Sequence, residues 1–296
     1  MDILSIDSLT DALIAEILDR ADLYFTGNRG RRSNERLHGR IVFNLFYENS
    51  TRTAMSFATA AHRLGASAIA LSVEHSSVKK GETLEDTART LNAMRPHALV
   101  IRHRENGAPA VVAEIMDAPV LNAGDGTNEH PTQALLDAAT IRNRFGRIEG
   151  LKVAICGDIR HSRVARSNAK LLPRLGAEVR LAGPPGLMPN DLPTTSIDGA
   201  IDGADVVMML RVQRERLEEE LGDAPGEYLS RYGLTADRLA RASPKAAVMH
   251  PGPMNRGVEI EDRIADDPDR SLITLQVEMG VAVRMACLEL VVSGGV

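Results

Sequence analysis

The chain has 296 residues, of which 44% are apolar and 25% charged, with a formal net charge of −5. At roughly 100–200 residues per domain, that length predicts two globular domains with sizeable cores. The acidic balance argues against bulk polyanion binding, and aromatics at 3% with no Trp argue against a base-stacking nucleic-acid surface. No apolar run approaches the ~18 residues of a membrane span. The first residues, "MDILSIDSLTD", are acidic and lack the basic and apolar regions of a signal peptide. A cytoplasmic chain with no membrane partner is expected. Cys156 and Cys287 both sit inside apolar runs and read as buried thiols of a reducing compartment.

Apolar residues at 9, 13, 14, 17 and 18 predict a first helix, with Ser8 and Asp11 as its capping pair. A strand follows over about 40–47, then "NSTRT" and a helix ending near Gly65. "ASAIAL" is a short strand, "SVEHSSVKKGE" a loop, and a helix starts at Thr83. "HALVIR" is a buried strand ending at Arg102, "APAVVAEIM" is helical and "APVLNA" is again strand. "GDGTNEH" leads to Pro131, suited to the first position of a helix reaching about Asn143. "FGRIEG" then resets the pattern. "LKVAICGD" is a strand, residues 163–175 a helix stopped by Gly176, and "AEVRLAG" a strand. The loop "GPPGLMPNDLP" precedes two more buried strands, "ADVVMML" and "KAAVMH". "SLITLQVEMGVAVRMACLELVV" closes the chain as a long apolar helix.

Strands alternate with helices twice over, which predicts an α/β fold of two domains, each a mainly parallel sheet flanked by helices. In such sheets ligands bind beyond the carboxyl ends of the strands. The residues just past each apolar run are Ser50–Thr53, Arg102, His130, Arg163 a little further on, Arg211 and His250-Pro251. Nearly all are basic or hydrogen-bonding, and they predict a cationic, donor-rich cleft between the domains.

Each motif also has a plain structural reading. Ser50, Thr51 and Thr53 could cap a helix. One hydroxyl suffices for that, and three with Arg52 suit a phosphate at a helix N-terminus. The G-x-x-x-x-G-K spacing of a nucleotide loop is missing. Ser76, Lys79 and Lys80 read locally as a solvated basic turn. Arg102 could be a surface group, and His130 a cap. With Gln133, His130 would equally suit a ligand presenting a carbonyl and an amide. Gly157 stands alone, without the G-x-G-x-x-G of a dinucleotide turn, so a nicotinamide site is a weak reading. Arg163 and Arg211 could meet carboxylates, and Gln213 follows Arg211 in the same style. The charge run 214–220 is most simply a solvated helix face. "HPGP" is a rigid turn that would fix the carbonyls of Pro251 and Gly252. Metal spacing such as H-E-x-x-H and the G-x-S-x-G elbow are both absent from the sequence.

In order along the chain, "FYENSTRTAMSF", "SSVKKGETLEDT", "IRHR", "EHPTQALLD", "LRVQRERL" and "HPGPMNRGVEI" resemble the carbamoyltransferases over nearly the whole length. S-T-R-T and H-P-T-Q mark the superfamily. K-K-G-E, R-V-Q and H-P-G-P favour its aspartate branch, whereas the ornithine branch carries H-C-L-P. The resemblance implies that residues 1–132, with a returning C-terminal helix 278–296, bind carbamoyl phosphate, and that residues 133–277 bind L-aspartate. Ser50, Thr51, Arg52 and Thr53 would hold the phosphate. Arg102 would bridge phosphate and carbonyl, and Thr53, Arg102 and His130 would polarise that carbonyl. Gln133 and the backbone around Pro251, Gly252 and Pro253 would bind the carbamoyl amide. Arg163, Arg211 and Gln213 would bind the aspartate carboxylates. Ser76 and Lys80 would enter from a neighbouring subunit of a homotrimer, with Lys80 also reaching L-aspartate.

The implied reaction belongs to de novo pyrimidine synthesis and uses no metal or cofactor. Gly252 stands where some members carry Leu. A regulatory chain, or assembly with another enzyme of pyrimidine synthesis, is left open. So are a carbamoyltransferase for another amine such as ornithine and a non-catalytic phosphometabolite-binding protein. Two cations, Arg163 and Arg211, suit a dicarboxylate better than the second amine of ornithine.

Overall fold

The computed structural model describes residues 1–29, 34–72, 81–212 and 225–294. The chain divides into two compact units, Met1–Ala139 with Val277–Val296, and Thr140–Gln276. Among the described residues each unit is built on a four-stranded, all-parallel sheet.

In the first unit the strands are β1 (Ile41–Phe46), β2 (Ser67–Ser72), β3 (Ala98–His103) and β4 (Val120–Asp125), in the order β2-β1-β3-β4. The helices are α1 (Asp11–Arg29), α2 (Thr51–Arg63), α3 (Leu84–Ala93), α4 (Ala108–Ala113) and the start of α5 (Pro131–Phe145). "IVFNLF" forms β1 as a run buried on both faces, as expected when helices cover both sides of a parallel sheet. Phe43, Leu45, Leu99, Ile101 and Val120 from the sheet pack with Val112 of α4 and Leu91 of α3.

The first helix starts differently from the sequence expectation. Thr10 accepts from the Leu13 amide at 3.2 Å, while Ser8 and Ser5 bond each other. Ser8 is thus engaged in its own turn, and Thr10 is left as the cap.

In the second unit the strands are β5 (Lys152–Cys156), β6 (Glu178–Ala182), β7 (Val206–Met209) and β8 (Ala247–Met249), in the order β6-β5-β7-β8. The helices are the remainder of α5, α6 (Arg163–Arg174), α7 (Ile197–Ile201), α8 (Pro225–Tyr232), α9 (Ala236–Leu239) and α10 (Asp262–Ala265). Its core joins Ala154, Val207, Met209 and Val248 of the sheet to Ile201, Leu239 and Ile264 of the helices. Three strand ends meet at Gly157 (φ +133°), where an added Cβ would lie 3.0 Å from the Leu210 carbonyl oxygen. A Cβ on Gly183 would collide with the Gly157 carbonyl. Gly157 is therefore a close-approach residue, which explains a lone glycine without a dinucleotide fingerprint.

The last helix, α11 (Ile273–Ser293), returns the chain to the first unit. Most of it is apolar and buried. Ion pairs fasten its exposed side: Arg29 holds Glu278 bidentately at 2.7 and 2.9 Å. Near its end, buried Glu289 receives Tyr24 Oη at 2.6 Å, Arg36 at 2.9 Å and Arg20 at 3.0 Å. No helix among the described residues is long and apolar enough to cross a membrane.

Cys156 and Cys287 are both fully buried, and burial pushes each thiol up to about 12. Thiol nucleophilicity requires the thiolate. Neither cysteine should react with a maleimide in the native chain, and both should label in guanidinium. Intact-mass measurement before and after unfolding checks this.

Candidate active site

The first unit gathers its polar groups at the carboxyl ends of three neighbouring strands. After β1 comes the corner Tyr47–Ser50. Ser50 is the N-cap of α2, yet its side chain makes no capping hydrogen bond. Thr51 and Arg52 are exposed on the first turn, while Thr53 is buried. No acidic residue occupies that turn. The helix start therefore keeps its positive character and offers amides, hydroxyls and a guanidinium to an anion.

Arg102 lies at the end of β3. The pairing of β3 with β4 shifts register between Ile101 and His103, so β4 carries an extra residue opposite Arg102. Such a bulge re-aims the local side chain. The guanidinium donates to the Ala123 carbonyl at 3.2 Å and stands 3.3 Å from the Glu48 carboxylate. Beside it, His103 packs edge-on to Tyr47 with ring centroids 4.5 Å apart. Burial lowers the His103 pKa, and its Nδ1 accepts the Glu105 amide at 3.0 Å.

His130 follows β4 through a tightly held loop. Asp125, almost fully buried, accepts from the Gly107 amide at 2.7 Å, Asn122 at 2.8 Å, Asn128 at 2.9 Å and the Glu129 amide at 3.1 Å. Glu129 in turn accepts the Ile6 amide at 2.9 Å. The loop thus folds back on the strand end and leaves His130 buried one residue before α5. Gln133 sits in the first turn and donates its amide to Asp137 at 3.0 Å. That bond orients the Gln133 carbonyl oxygen away from Asp137.

Behind α2 lies a charge that the sequence reading passed over. Arg284 of α11 is buried, donates to Ser56 Oγ at 2.8 Å and stacks 5.1 Å from the Phe57 ring. Burial pulls its pKa down to about 10. It is still cationic at neutral pH, so a fixed positive charge stands one turn behind Thr53. Its signal in the sequence is an Arg set inside the apolar run "VAVRMACL".

The second unit repeats the arrangement at the ends of β5, β7 and β8. Past Gly157, buried Asp158 takes His161 Nδ1 at 2.9 Å. Ser162 caps α6 by accepting the Ala165 amide at 3.1 Å, and Arg163 is the first helical residue. A cation at that end opposes the helix dipole, so helix stability does not explain it. Arg211 is exposed just past β7, and Leu210 before it is anchored by its amide to the Cys156 carbonyl at 2.8 Å. His250 follows β8 and is buried, and Pro251, Gly252 and Pro253 form the turn beyond it. Ser76, Lys80 and Gln213, like the charge run 214–220, lie outside the described residues.

Each unit is a parallel α/β sheet with basic and hydrogen-bonding side chains at its strand ends, the edge at which such sheets bind ligands, and comparison with known proteins narrows the class. Residues 1–143 match the model of the aspartate/ornithine carbamoyltransferase carbamoyl-P binding domain, and residues 149–291 match the Asp/Orn binding domain. The aspartate carbamoyltransferase catalytic subunit of Granulibacter bethesdensis is 57% identical over 294 residues, covering 97% of this chain and 93% of that protein. The corresponding subunit of Rhizorhabdus wittichii is 59% identical over 280 residues, covering 92% and 89%. Among solved structures, aspartate transcarbamoylase from Trypanosoma cruzi in complex with carbamoyl phosphate superposes with a TM-score of 0.89 at 33% identity, covering 97% of this chain and 94% of that one. Ornithine carbamoyltransferase from Pyrococcus furiosus gives 0.88 at 28% identity, covering 100% and 97%. The chain belongs to the aspartate/ornithine carbamoyltransferase family.

The Asp125 network makes a direct test of how the His130 loop is held. Asp125→Ala would take this acceptor from the Gly107 and Glu129 amides and the Asn128 carboxamide, and remove one of the two bonds made by Asn122 Nδ2. Stability should fall by roughly 3–5 kcal/mol, given ~1.5–3 kcal/mol for each hydrogen bond to a charged group and partial relaxation. Urea denaturation followed by circular dichroism measures it.

Proposed function

We propose that this chain transfers the carbamoyl group of carbamoyl phosphate to the amine of L-aspartate, giving N-carbamoyl-L-aspartate and phosphate, a step of de novo pyrimidine synthesis. The observation that carries the choice of amine is the pair of cations in the second unit, Arg163 heading α6 and Arg211 past the adjacent strand β7. Two guanidiniums suit the two carboxylates of aspartate, while a second amine on the substrate would be repelled. The identity of 54–59% to aspartate carbamoyltransferase catalytic subunits supports the same choice.

In the first unit, Ser50, Thr51, Arg52 and Thr53 bind the phosphate at the start of α2. Arg102 spans phosphate and carbonyl oxygen, releasing Glu48 as the anion arrives. Gln133 binds the carbamoyl amide, a role that the carbonyls of Pro251 and Gly252, in the turn of the second unit closed by Pro253, also serve. In the second unit, Arg163, Arg211 and Gln213 hold L-aspartate.

The deprotonated amine attacks the carbamoyl carbon. Negative charge grows on the carbonyl oxygen, and Thr53, Arg102 and His130 supply donors aimed at it. Each such donor is worth about 3–4 kcal/mol of barrier. The C–O bond to phosphate then breaks, and the departing phosphate takes the amine proton. Carbamoyl phosphate arrives already activated, so the chemistry calls for no cofactor. Ser76 and Lys80 are supplied by a neighbouring subunit of a homotrimer, Ser76 to carbamoyl phosphate and Lys80 to L-aspartate.

Phosphate release should occur with carbamoyl phosphate and L-aspartate and not with L-ornithine. Release with ornithine alone would overturn the reading, and release with neither amine would point to a phosphometabolite-binding protein. Arg52→Ala should lower kcat/KM by at least about a thousandfold, since both phosphate binding and alignment depend on it, with an unchanged circular dichroism spectrum. Mixing inactive Lys80→Ala and Arg52→Ala subunits should recover part of the activity in hybrid trimers. Verified hybrids with no activity would exclude shared sites.

A further inference from the structure

The second unit contains a buried polar pair that none of the roles above uses. His250 Nε2 lies 3.2 Å from Glu259 Oε1, and both side chains are wholly buried. The partners of this pair determine its protonation. The Gly252 amide donates to His250 Nδ1 at 2.8 Å, so Nδ1 is the acceptor and the ring proton sits on Nε2, aimed at the carboxylate. Glu259 Oε1 also accepts the backbone amide of Asn255. The Asn255 side chain then donates to the Val212 carbonyl at 2.9 Å. At the other end, the His250 amide is fixed by Gln276 Oε1 at 2.9 Å.

These bonds form one continuous chain. It begins at the head of α11, passes through His250 and Glu259, and ends next to Arg211. It touches the Pro251–Gly252 turn from both sides. Gly252 takes a left-handed φ of +67°, so its carbonyl direction depends on the bond its amide makes to the ring. Asn255 is the only link in this chain that reaches the β7 end. We infer that His250 and Glu259 are positioning residues, which hold the Pro251 and Gly252 carbonyls and the Arg211 strand end in a fixed mutual geometry. The inference rests on the preceding reading, in which those carbonyls bind the carbamoyl amide and Arg211 binds L-aspartate. A displacement near 1 Å at such groups is enough to lower catalysis by up to about a hundredfold.

The links predict separable effects. Asn255→Ala removes only the tie to Val212, so KM for L-aspartate should rise roughly tenfold, with KM for carbamoyl phosphate and kcat within about twofold. Glu259→Ala releases both sides, so both KM values should rise and kcat should fall. Glu259→Gln keeps an oxygen for the Asn255 amide and the ring N–H, and should recover most of the loss. Circular dichroism and the melting temperature are recorded for each variant. If Glu259→Ala does not fold, Asn255→Ala alone decides. Wild-type kinetics in Asn255→Ala, or a lowered melting temperature with no KM change, would overturn the inference. Absence of turnover in the wild-type chain would instead sink the functional reading. In that event nitrogen-15 NMR of the imidazoles at mildly alkaline pH judges the pair: a His250 proton on Nε2 supports it, and one on Nδ1 overturns it.

Discussion

A parallel sheet covered by helices on both faces has no side on which to expose polar chemistry. Here that constraint governs everything else. β1, β3 and β4 in the first unit, and β5, β7 and β8 in the second, are buried almost end to end. Polar side chains in such strands would face a core with few partners. The chemistry is therefore displaced to the carboxyl ends, where the chain leaves the sheet and helix N-termini begin. Each unit obeys this separately with the same sequence of events: apolar strand, short polar corner, helix start.

The groups at those ends work only if they are held, and the structure holds them with buried charges. Asp125 gathers four donors around the His130 loop. Glu259 does the same for the turn after β8, through His250 and Asn255. Arg284 braces α2 from behind through Ser56 and Phe57. A buried charge is costly unless bonded. Its use here is geometric, because a carboxylate accepting several backbone amides fixes a loop more rigidly than apolar packing does. The charges stand one layer behind the residues that would meet the anions in the proposed reaction.

That layering explains what the sequence made legible. Ser50–Thr53, Arg102 and Arg211 lie at or just after apolar runs, and His130 and Arg163 a loop further on, so their places at the strand ends were legible. The α/β architecture, the buried cysteines and the long last helix were legible for the same reason, since hydrophobic periodicity is a local signal; the return of that helix to the first unit came from the family resemblance. The layer behind was not legible. Asp125, Glu259 and Arg284 act across folded loops or 228 positions of chain, as in the Arg284–Ser56 bond. Glu48 carries no pattern of its own in the sequence; its meaning lies in its distance to Arg102. The Ser8–Asp11 cap failed because several hydroxyls compete at one helix start, and small differences in turn geometry select among them. Gly157 looked like a failed dinucleotide turn because its partner, the Leu210 backbone, is more than fifty residues away.

The helix starts also record a choice between stability and binding. α1 begins with Asp11, and α3 with Glu85 and Asp86, the arrangement that complements the helix dipole. α2 and α6 begin without an acid, and each carries an arginine in the first turn instead. A carboxylate there would contribute about 0.3–1 kcal/mol per helix, and a cation reverses the sign. Neither helix takes that stabilisation. An acidic residue at either position would also neutralise the field that draws an anion to the helix start. Among the described helices, α2 and α6 alone combine a first turn without an acid and an arginine in it, and theirs are the N-termini that would face substrate anions in the proposed reaction. α4, α5 and α11 also begin without an acid, so the arginine rather than the missing carboxylate sets these two helix starts apart.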